Sequence, residues 1–221
     1  MRGLLLAVFL SASASGQVCG ANDLTGSYGF QLSGSNTISG ASKPSAAIGR
    51  LNFESNGVIS GTASVNFNGL FLGNPVTGKY TFTTACAIAF ELQDTSGGWQ
   101  HFQGTLRTGG ARGEFHQTDE GTGGHGVLRK LADACGPETL HGEYAVMLGS
   151  RKTVTNADGN GGLSWTSDGA TNSGTYTVDS DCFVEVNFGL KLRGVLVDDG
   201  RTVLAVQTDP GKVSTATFTA Q

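Results

Sequence analysis

Two stretches of similar sequence, GKYTFTTAC at residues 78–86 and GTYTVDSDC at residues 174–182, decide the fold of this chain. Each starts with a glycine, contains a Tyr-Thr pair followed by Phe or Val, and reaches a cysteine eight positions after the glycine. β-Branched and aromatic residues in this order favour the pleated backbone of a strand. The recurrence predicts that one strand-and-cysteine unit occurs twice.

Two more blocks recur in the same order around these stretches. CGANDLTGSY at residues 19–28 matches CGPETLHGEY at residues 135–144 in its Cys, Gly, Leu and Tyr positions. QTDEG at residues 117–121 likewise matches QTDPG at residues 207–211. Three matched blocks in one order predict an internal duplication of the whole unit.

The duplication also predicts the domain boundaries. We expect a first β unit over residues 17–131, a linker over residues 132–134 and a second β unit over residues 135–221. The first copy is longer than the second between its two cysteines. Because added loop length costs little free energy, we expect the extra residues in loops or at strand ends.

The N-terminus predicts export. Arg2 precedes an apolar run from Leu4 to Leu10, and the small residues Ala12 to Ala14 follow, which is typical of a signal peptide over residues 1–16. No stretch approaches the roughly 18 apolar residues that a membrane-spanning helix needs. We therefore expect a secreted or periplasmic protein without a membrane span.

The charge balance argues against a nucleic-acid partner. The chain has 14 Lys and Arg against 18 Asp and Glu, a formal net charge of −4, whereas nucleic-acid binding needs a basic face. No motif requires a cofactor. The partners that fit the sequence are a small apolar ligand or a surface partner.

Composition and periodicity favour an all-β fold. The chain contains 35 glycines, which supply turn positions with positive φ. Apolar and polar residues alternate with period two throughout, and no stretch has a convincing helical period. About eight candidate strands in the first copy and six to eight in the second predict two tandem antiparallel meander β-barrel or sandwich units.

One hairpin in each copy has a predictable register. Gly109-Gly110 and Asp199-Gly200 stand at equivalent two-residue turns, which set the pairing of the flanking strands and place Gly104 opposite Phe115. In the second copy both faces of this hairpin are apolar. We expect the second face to be buried, either against the first copy or around an apolar ligand; it consists of Val195, Val197, Leu204 and Val206.

Four cysteines in an exported protein predict two disulfides. Three pairings are open, and the duplication favours Cys19–Cys86 with Cys135–Cys182, because each unit then carries its own bridge. A catalytic or metal-binding role for the cysteines is disfavoured, since no CxxC motif is present.

Candidate catalytic residues gather on the polar face of the first hairpin. His101, Glu114 and His116 share that face, and histidine with carboxylate can perform acid–base chemistry or bind a divalent metal. The alternative is a solvated outer face on which Glu114 pairs with a neighbouring arginine. The second copy has none of these three groups, so the fold does not require them.

A weak calcium motif lies in the second copy. Asn156, Asp158 and Asn160 have the alternate spacing of a calcium loop. The acid expected at the twelfth position is replaced by Ser167, and Asn-Gly is also a common hairpin turn that needs no ion. A turn is the favoured interpretation.

The three blocks together resemble a group of uncharacterised exported bacterial Gly/Thr-rich β-repeat proteins with recurring GxYT(F/V)xxxC and QTDxG segments. That resemblance implies export and β architecture and no particular activity. The strand count is also loosely similar to the allene oxide cyclase and lipocalin barrels, an analogy of fold that does not confer function.

The residues that the copies share are Gly, Cys, Tyr and Leu, which specify turns and core. We therefore expect a secreted non-catalytic protein with a binding or surface-structural role. The alternative is a small-molecule cyclase, an isomerase or a metal-dependent hydrolase with a site in the first unit.

Overall fold

The structure, a computed structural model, describes residues 19–221 except Ala21 and Thr108. The predicted signal peptide, residues 1–16, lies outside these residues. In the part of the chain that is described, no helix has the length and apolar character needed to cross a membrane.

Two closed eight-stranded antiparallel barrels follow each other along the chain, as the period-two pattern and the duplication predict. In each barrel consecutive strands are neighbours, and the last strand pairs with the first. Closure removes the sheet edges over the length that all eight strands of a barrel share. Barrel 1 consists of β1 (Gly26–Ile38), β2 (Ala41–Phe53), β3 (Val58–Phe67), β4 (Leu70–Phe82), β5 (Ala87–Asp94), β6 (Trp99–Leu106), β7 (Arg112–Gln117) and β8 (His125–Lys130).

Barrel 2 repeats this order after a short 3₁₀ turn at Pro137–Thr139. Its strands are β9 (His141–Leu148), β10 (Arg151–Asp158), β11 (Gly162–Ser167), β12 (Ala170–Val178), β13 (Phe183–Asn187), β14 (Lys191–Val197), β15 (Thr202–Gln207) and β16 (Thr215–Ala220).

The predicted hairpin register is confirmed in both barrels. Gly104 lies opposite Phe115 in the β6–β7 pair, and Gly194 lies opposite Ala205 in the β14–β15 pair. The structure also contains the two disulfides that the duplication favours, Cys19–Cys86 and Cys135–Cys182. Each bridge stays within one copy.

The residues that recur between the copies hold the barrels closed. The hydroxyl of Tyr28 donates to the carbonyl oxygen of Gly110 at 2.8 Å, and the hydroxyl of Tyr144 donates to that of Gly200 at 2.9 Å. A Cβ at Gly78 would lie 2.0 Å from a carbonyl oxygen of the adjacent strand. The sharp coiling of β4 therefore needs glycine there.

Aromatic rings fill the interior of barrel 1. Phe90 and Phe102 are stacked with ring centroids 4.7 Å apart, and Phe115 packs edge-on against both. Tyr28 and Phe53 pack edge to face with ring centroids 5.5 Å apart. All five side chains are buried, and such ring geometries add to the stability that burial provides.

The extra length of the first copy lies in strand ends. β1 and β2 each have 13 residues, whereas their counterparts β9 and β10 each have 8. β3 and β4 likewise have 10 and 13 residues against 6 and 9 in β11 and β12. The four long strands extend past the rest of barrel 1 as a curved wall.

The outer faces of β1 and β2 cover the second apolar face of barrel 2. Ala46 and Ile48 of β2 belong to one buried cluster with the interface residues of β14 and β15. A Cβ at Gly29 would lie 2.5 Å from Val197 Cγ1, so the barrels touch closely. The four residues of this face, whose burial the sequence predicts, are each at most 1% exposed: Val195, Val197, Leu204 and Val206.

Polar contacts flank this apolar interface. The Asp198 carboxylate of barrel 2 accepts hydrogen bonds from Arg129 at 2.7 Å and Arg112 at 3.2 Å, while its own side chain is only 10% exposed. Asn66, fully buried, donates from its amide to the carbonyl oxygens of Gln207 and Lys212. These directional bonds set the orientation of one barrel on the other.

Candidate functional site

His101 on β6 forms the strongest polar contact of the predicted catalytic group. Its Nδ1 lies 2.7 Å from Asp119 Oδ1, and its Nε2 lies 3.8 Å from Glu91 Oε2. The hydrogen bond to Asp119 raises the pKa of His101 above its ordinary value. Burial raises the pKa of Asp119, but hydrogen bonds from the backbone N–H and ring of His101 outweigh it and leave that pKa lowered.

The same aspartate has a structural role in both copies. Asp119 Oδ2 accepts the backbone N–H of His101 at 2.8 Å, and Asp209 Oδ2 accepts that of Lys191 at 3.0 Å. In barrel 2 the amide of Gln207 also donates to Asp209, at 2.8 Å. The aspartate of the QTD block therefore binds a backbone N–H near the start of β6 in barrel 1 and of β14 in barrel 2. In barrel 1 it also binds the His101 ring.

Glu114 and His116 on β7 do not join His101 in one cluster. Glu114 lies opposite Thr105 and Val127, and His116 lies opposite Gln103 and His125. All three predicted groups are exposed on the outer face of barrel 1. Across the described residues, no three His, Cys, Asp or Glu side chains are placed to hold a metal ion. The three groups therefore lie on an outer face of the sheet, and Glu114 and His116 have strand neighbours other than His101.

The weak calcium motif forms a hairpin turn between β10 and β11. The carboxylate of Asp158 accepts the backbone N–H groups of Asn160 at 2.7 Å and Gly162 at 2.8 Å. Those bonds lower the pKa of Asp158. Asn156 lies within β10, opposite Ser164. The Oδ1 atom of Asp158 thus binds backbone groups of the turn itself.

A small cavity opens at one end of the interior of barrel 1. Its volume is about 40 Å³, and its lining is mostly apolar. Enclosed ligand sites usually measure about 300–1,000 Å³, so this cavity takes only the end of a molecule. The residues that line it include Phe30, Leu32, Leu51, Val65, Val76 and Leu92.

The wall of long strands continues this lining outward. Leu32, Ala47, Val65 and Leu72 lie opposite each other in one row across β1 to β4, which places their side chains on one face. Leu72 is 51% exposed and Leu70, beyond it, is 60% exposed. We call this surface, formed by Leu32, Val65, Phe67, Leu70 and Leu72, the apolar wall.

Barrel 2 has a different residue pair at the level of this opening. Gly61 lies opposite Val76 in barrel 1, and the duplication aligns this pair with Trp165 and Asn172 of barrel 2. The Trp165 indole packs against Phe188 with ring centroids 4.5 Å apart. Barrel 2 thus has an indole at a position where barrel 1 has a glycine, whose Cβ would lie 2.1 Å from the Arg50 carbonyl oxygen.

The rim of the cavity is polar but carries no positive charge. Asn74, Asp94 and Gln100 are the polar residues of the lining, and none of its described residues is cationic. The Asp94 carboxylate accepts the backbone N–H of Ser96 at 2.9 Å. A carboxylate at the rim disfavours an anionic group beside it.

The sequence did not lead us to the apolar wall as a site. Leu70 and Leu72 continue the alternation of β4, so their pattern matched that of ordinary core residues. The one indication in the sequence was that the first copy is longer than the second before Gly78. The added residues include leucines, and the second copy has no matching residues that could cover them.

Comparisons with known proteins do not assign this chain to a family. No family model matches it, and no curated protein matches it. Two solved structures are similar at 9% identity: an AttH candidate of Nitrosomonas europaea, over 99% of each chain with a TM-score of 0.27, and a porin-like protein of Bacteroides uniformis, over 87% of this chain and 97% of that one with a TM-score of 0.15. At these TM-scores the likeness carries no functional argument.

Proposed function

We propose that this is an exported, non-catalytic binding protein, and that barrel 1 binds a small molecule with an elongated apolar part. The observation that carries the proposal is the apolar wall, which leads from exposed leucines into the cavity at the end of the barrel. Contiguous exposed apolar surface of this kind marks binding sites in soluble proteins. Two disulfides support export, because such bridges persist in oxidising compartments.

The dimensions of the site specify how the ligand lies. A cavity of about 40 Å³ holds little more than a terminal methyl or methylene group, so the rest of an apolar chain lies along the wall. Covering the exposed half of one leucine contributes about 1 kcal/mol. Covering both exposed leucines contributes about 2 kcal/mol, well short of the roughly −8 kcal/mol of micromolar binding, so the ligand must also bury its own apolar surface along the wall.

The charge at the rim selects the head group. Asp94 lies at the rim and no described cationic side chain lines the cavity. A chain that ends in an alcohol, amide or amine therefore fits better than one that ends in a carboxylate. The enzymatic alternative has less support, because His101 is 52% exposed and bound to a structural aspartate.

The test is binding of a neutral fluorescent probe, N-phenyl-1-naphthylamine, followed by displacement with dodecanol, dodecylamine and dodecanoate. We expect saturable binding, with displacement by the alcohol and amine and weaker displacement by the carboxylate. Leu72→Asp should weaken probe binding at least about tenfold, because it removes apolar contact and adds a charge that the probe desolvates.

A matched variant controls for surface charge. Val154 on β10 is 41% exposed, close to Leu72 at 51%, and Val154→Asp should leave probe binding unchanged. Equal affinity in the two variants, or a wild-type protein that binds no probe, would refute the proposed site. Circular dichroism of both variants confirms that the barrels are intact.

A further inference from the structure

His116 on β7 and His125 on β8 lie directly opposite each other on the outer face of barrel 1. The neighbouring pair is hydrogen-bonded, since the Gln117 N–H donates to the Gly124 carbonyl oxygen at 2.9 Å. Hydrogen-bonded and non-hydrogen-bonded pairs alternate in antiparallel strands, and side chains come closest in the non-hydrogen-bonded ones. The histidines occupy such a close pair, with ring centroids 6.2 Å apart.

The nitrogen atoms of these two rings are free for a ligand. The chain has four histidines. His101 uses Nδ1 on Asp119, and His141 has its Nδ1 3.0 Å from the Glu138 carbonyl oxygen. The side chains of His116 and His125 form no hydrogen bond or ion pair with any described residue, and both are exposed.

We propose that His116 and His125 together chelate one divalent transition-metal ion, through one nitrogen of each ring. Imidazole is a preferred ligand of Cu²⁺, Ni²⁺ and Zn²⁺, and affinity for nitrogen ligands is highest for Cu²⁺ in this series. Metal–nitrogen bonds of about 2.0–2.1 Å require the rings to close in slightly, which exposed side chains do by small rotations. Water fills the other coordination positions.

The surroundings of the pair favour a cation. Glu114 precedes His116 by two residues and points to the same outer face, which adds negative charge near the ion. In barrel 2 the equivalent pair is Val206 and Thr215, where Val206 is fully buried in the interface. The metal site is therefore specific to the first copy and separate from the apolar wall on the inner face.

Calorimetric titration of the untagged protein with Cu²⁺, Ni²⁺ and Zn²⁺, one at a time, tests the proposal. We expect one Cu²⁺ per chain, bound more tightly than Ni²⁺ or Zn²⁺. His116→Ala and His125→Ala should each weaken Cu²⁺ binding at least about tenfold, while His101→Ala should leave it unchanged. His101 is the matched control because its ring is exposed but already engaged by Asp119.

Electron paramagnetic resonance of the Cu²⁺ complex identifies the ligands directly. The wild-type protein should show coupling to two imidazole nitrogens, and either single variant should show at most one. Undiminished Cu²⁺ affinity in both variants, for instance through the terminal amine, would overturn the proposal. So would the absence of stoichiometric binding by the wild type, or an equal loss in His101→Ala.

Discussion

Replacing Gly29 by alanine should destabilise this protein, although the same change in an open strand would stabilise it. A Cβ at Gly29 would lie 2.5 Å from Val197 Cγ1 and 2.8 Å from Val195 Cγ1. Both valines are fully buried between the barrels, so neither has free space to move into. Overpacking lowers the free energy of unfolding by about 1–3 kcal/mol, whereas replacing a strand glycine by alanine raises it by about 0.5–1 kcal/mol.

The net loss is then up to about 2.5 kcal/mol, which corresponds to a fall in Tm of up to about 10 °C for a protein of this size. The equivalent position of barrel 2 carries Ala145, so the fold of a single barrel accepts the methyl group. Guanidinium unfolding and calorimetry of Gly29→Ala measure the effect. Gly98→Ala is the control, since its nearest atom, Ser96 Oγ, is 3.8 Å from the added Cβ.

A second variant tests the cause of the loss. In the double variant Gly29→Ala with Val197→Ala, the methyl groups removed from Val197 make room for the new one. The loss of stability should then be smaller than the sum of the two single losses by about 0.5–3 kcal/mol. Additive losses, or a Gly29→Ala protein as stable as the Gly98→Ala control, would show that the barrels do not press together at this point.

Replacing both Cys135 and Cys182 by serine should lower the free energy of unfolding by about 4 kcal/mol in the chain-entropy model, because the bridge spans 47 positions; an unchanged denaturation midpoint would contradict this. NMR titration should give His101 a pKa above the ordinary value of about 6.5, returned toward it by Asp119→Asn. The stability that this pair contributes is full between about pH 3.8 and pH 6.5, the ordinary pKa values of Asp and His, and is lost as the pH rises through the raised pKa of His101. On the acid side it is lost as the pH falls through the lowered pKa of Asp119. A His101 titration that Asp119→Asn leaves unaltered would contradict the pairing.

Local chemistry in the sequence determined the strands, the register of the main hairpins and the disulfide pairing. The Gly109-Gly110 turn predicts a tight hairpin between β6 and β7, and the register of that hairpin places Gly104 opposite Phe115. The matched positions of Cys19, Cys86 and their counterparts made each bridge a property of one copy. These features depend on residues near each other in the chain or on comparison of the two copies.

Only the tertiary structure decided what covers the barrels and which polar groups meet. The connection between β7 and β8 is seven residues long, too long to set a register, so the sequence did not predict that His125 faces His116. The sequence likewise predicted that Val197 is buried, but it did not identify Gly29 as the residue that packs against Val197. Barrel closure and the docking of one barrel on the other join segments far apart in the chain, and no periodicity within a strand encodes such contacts.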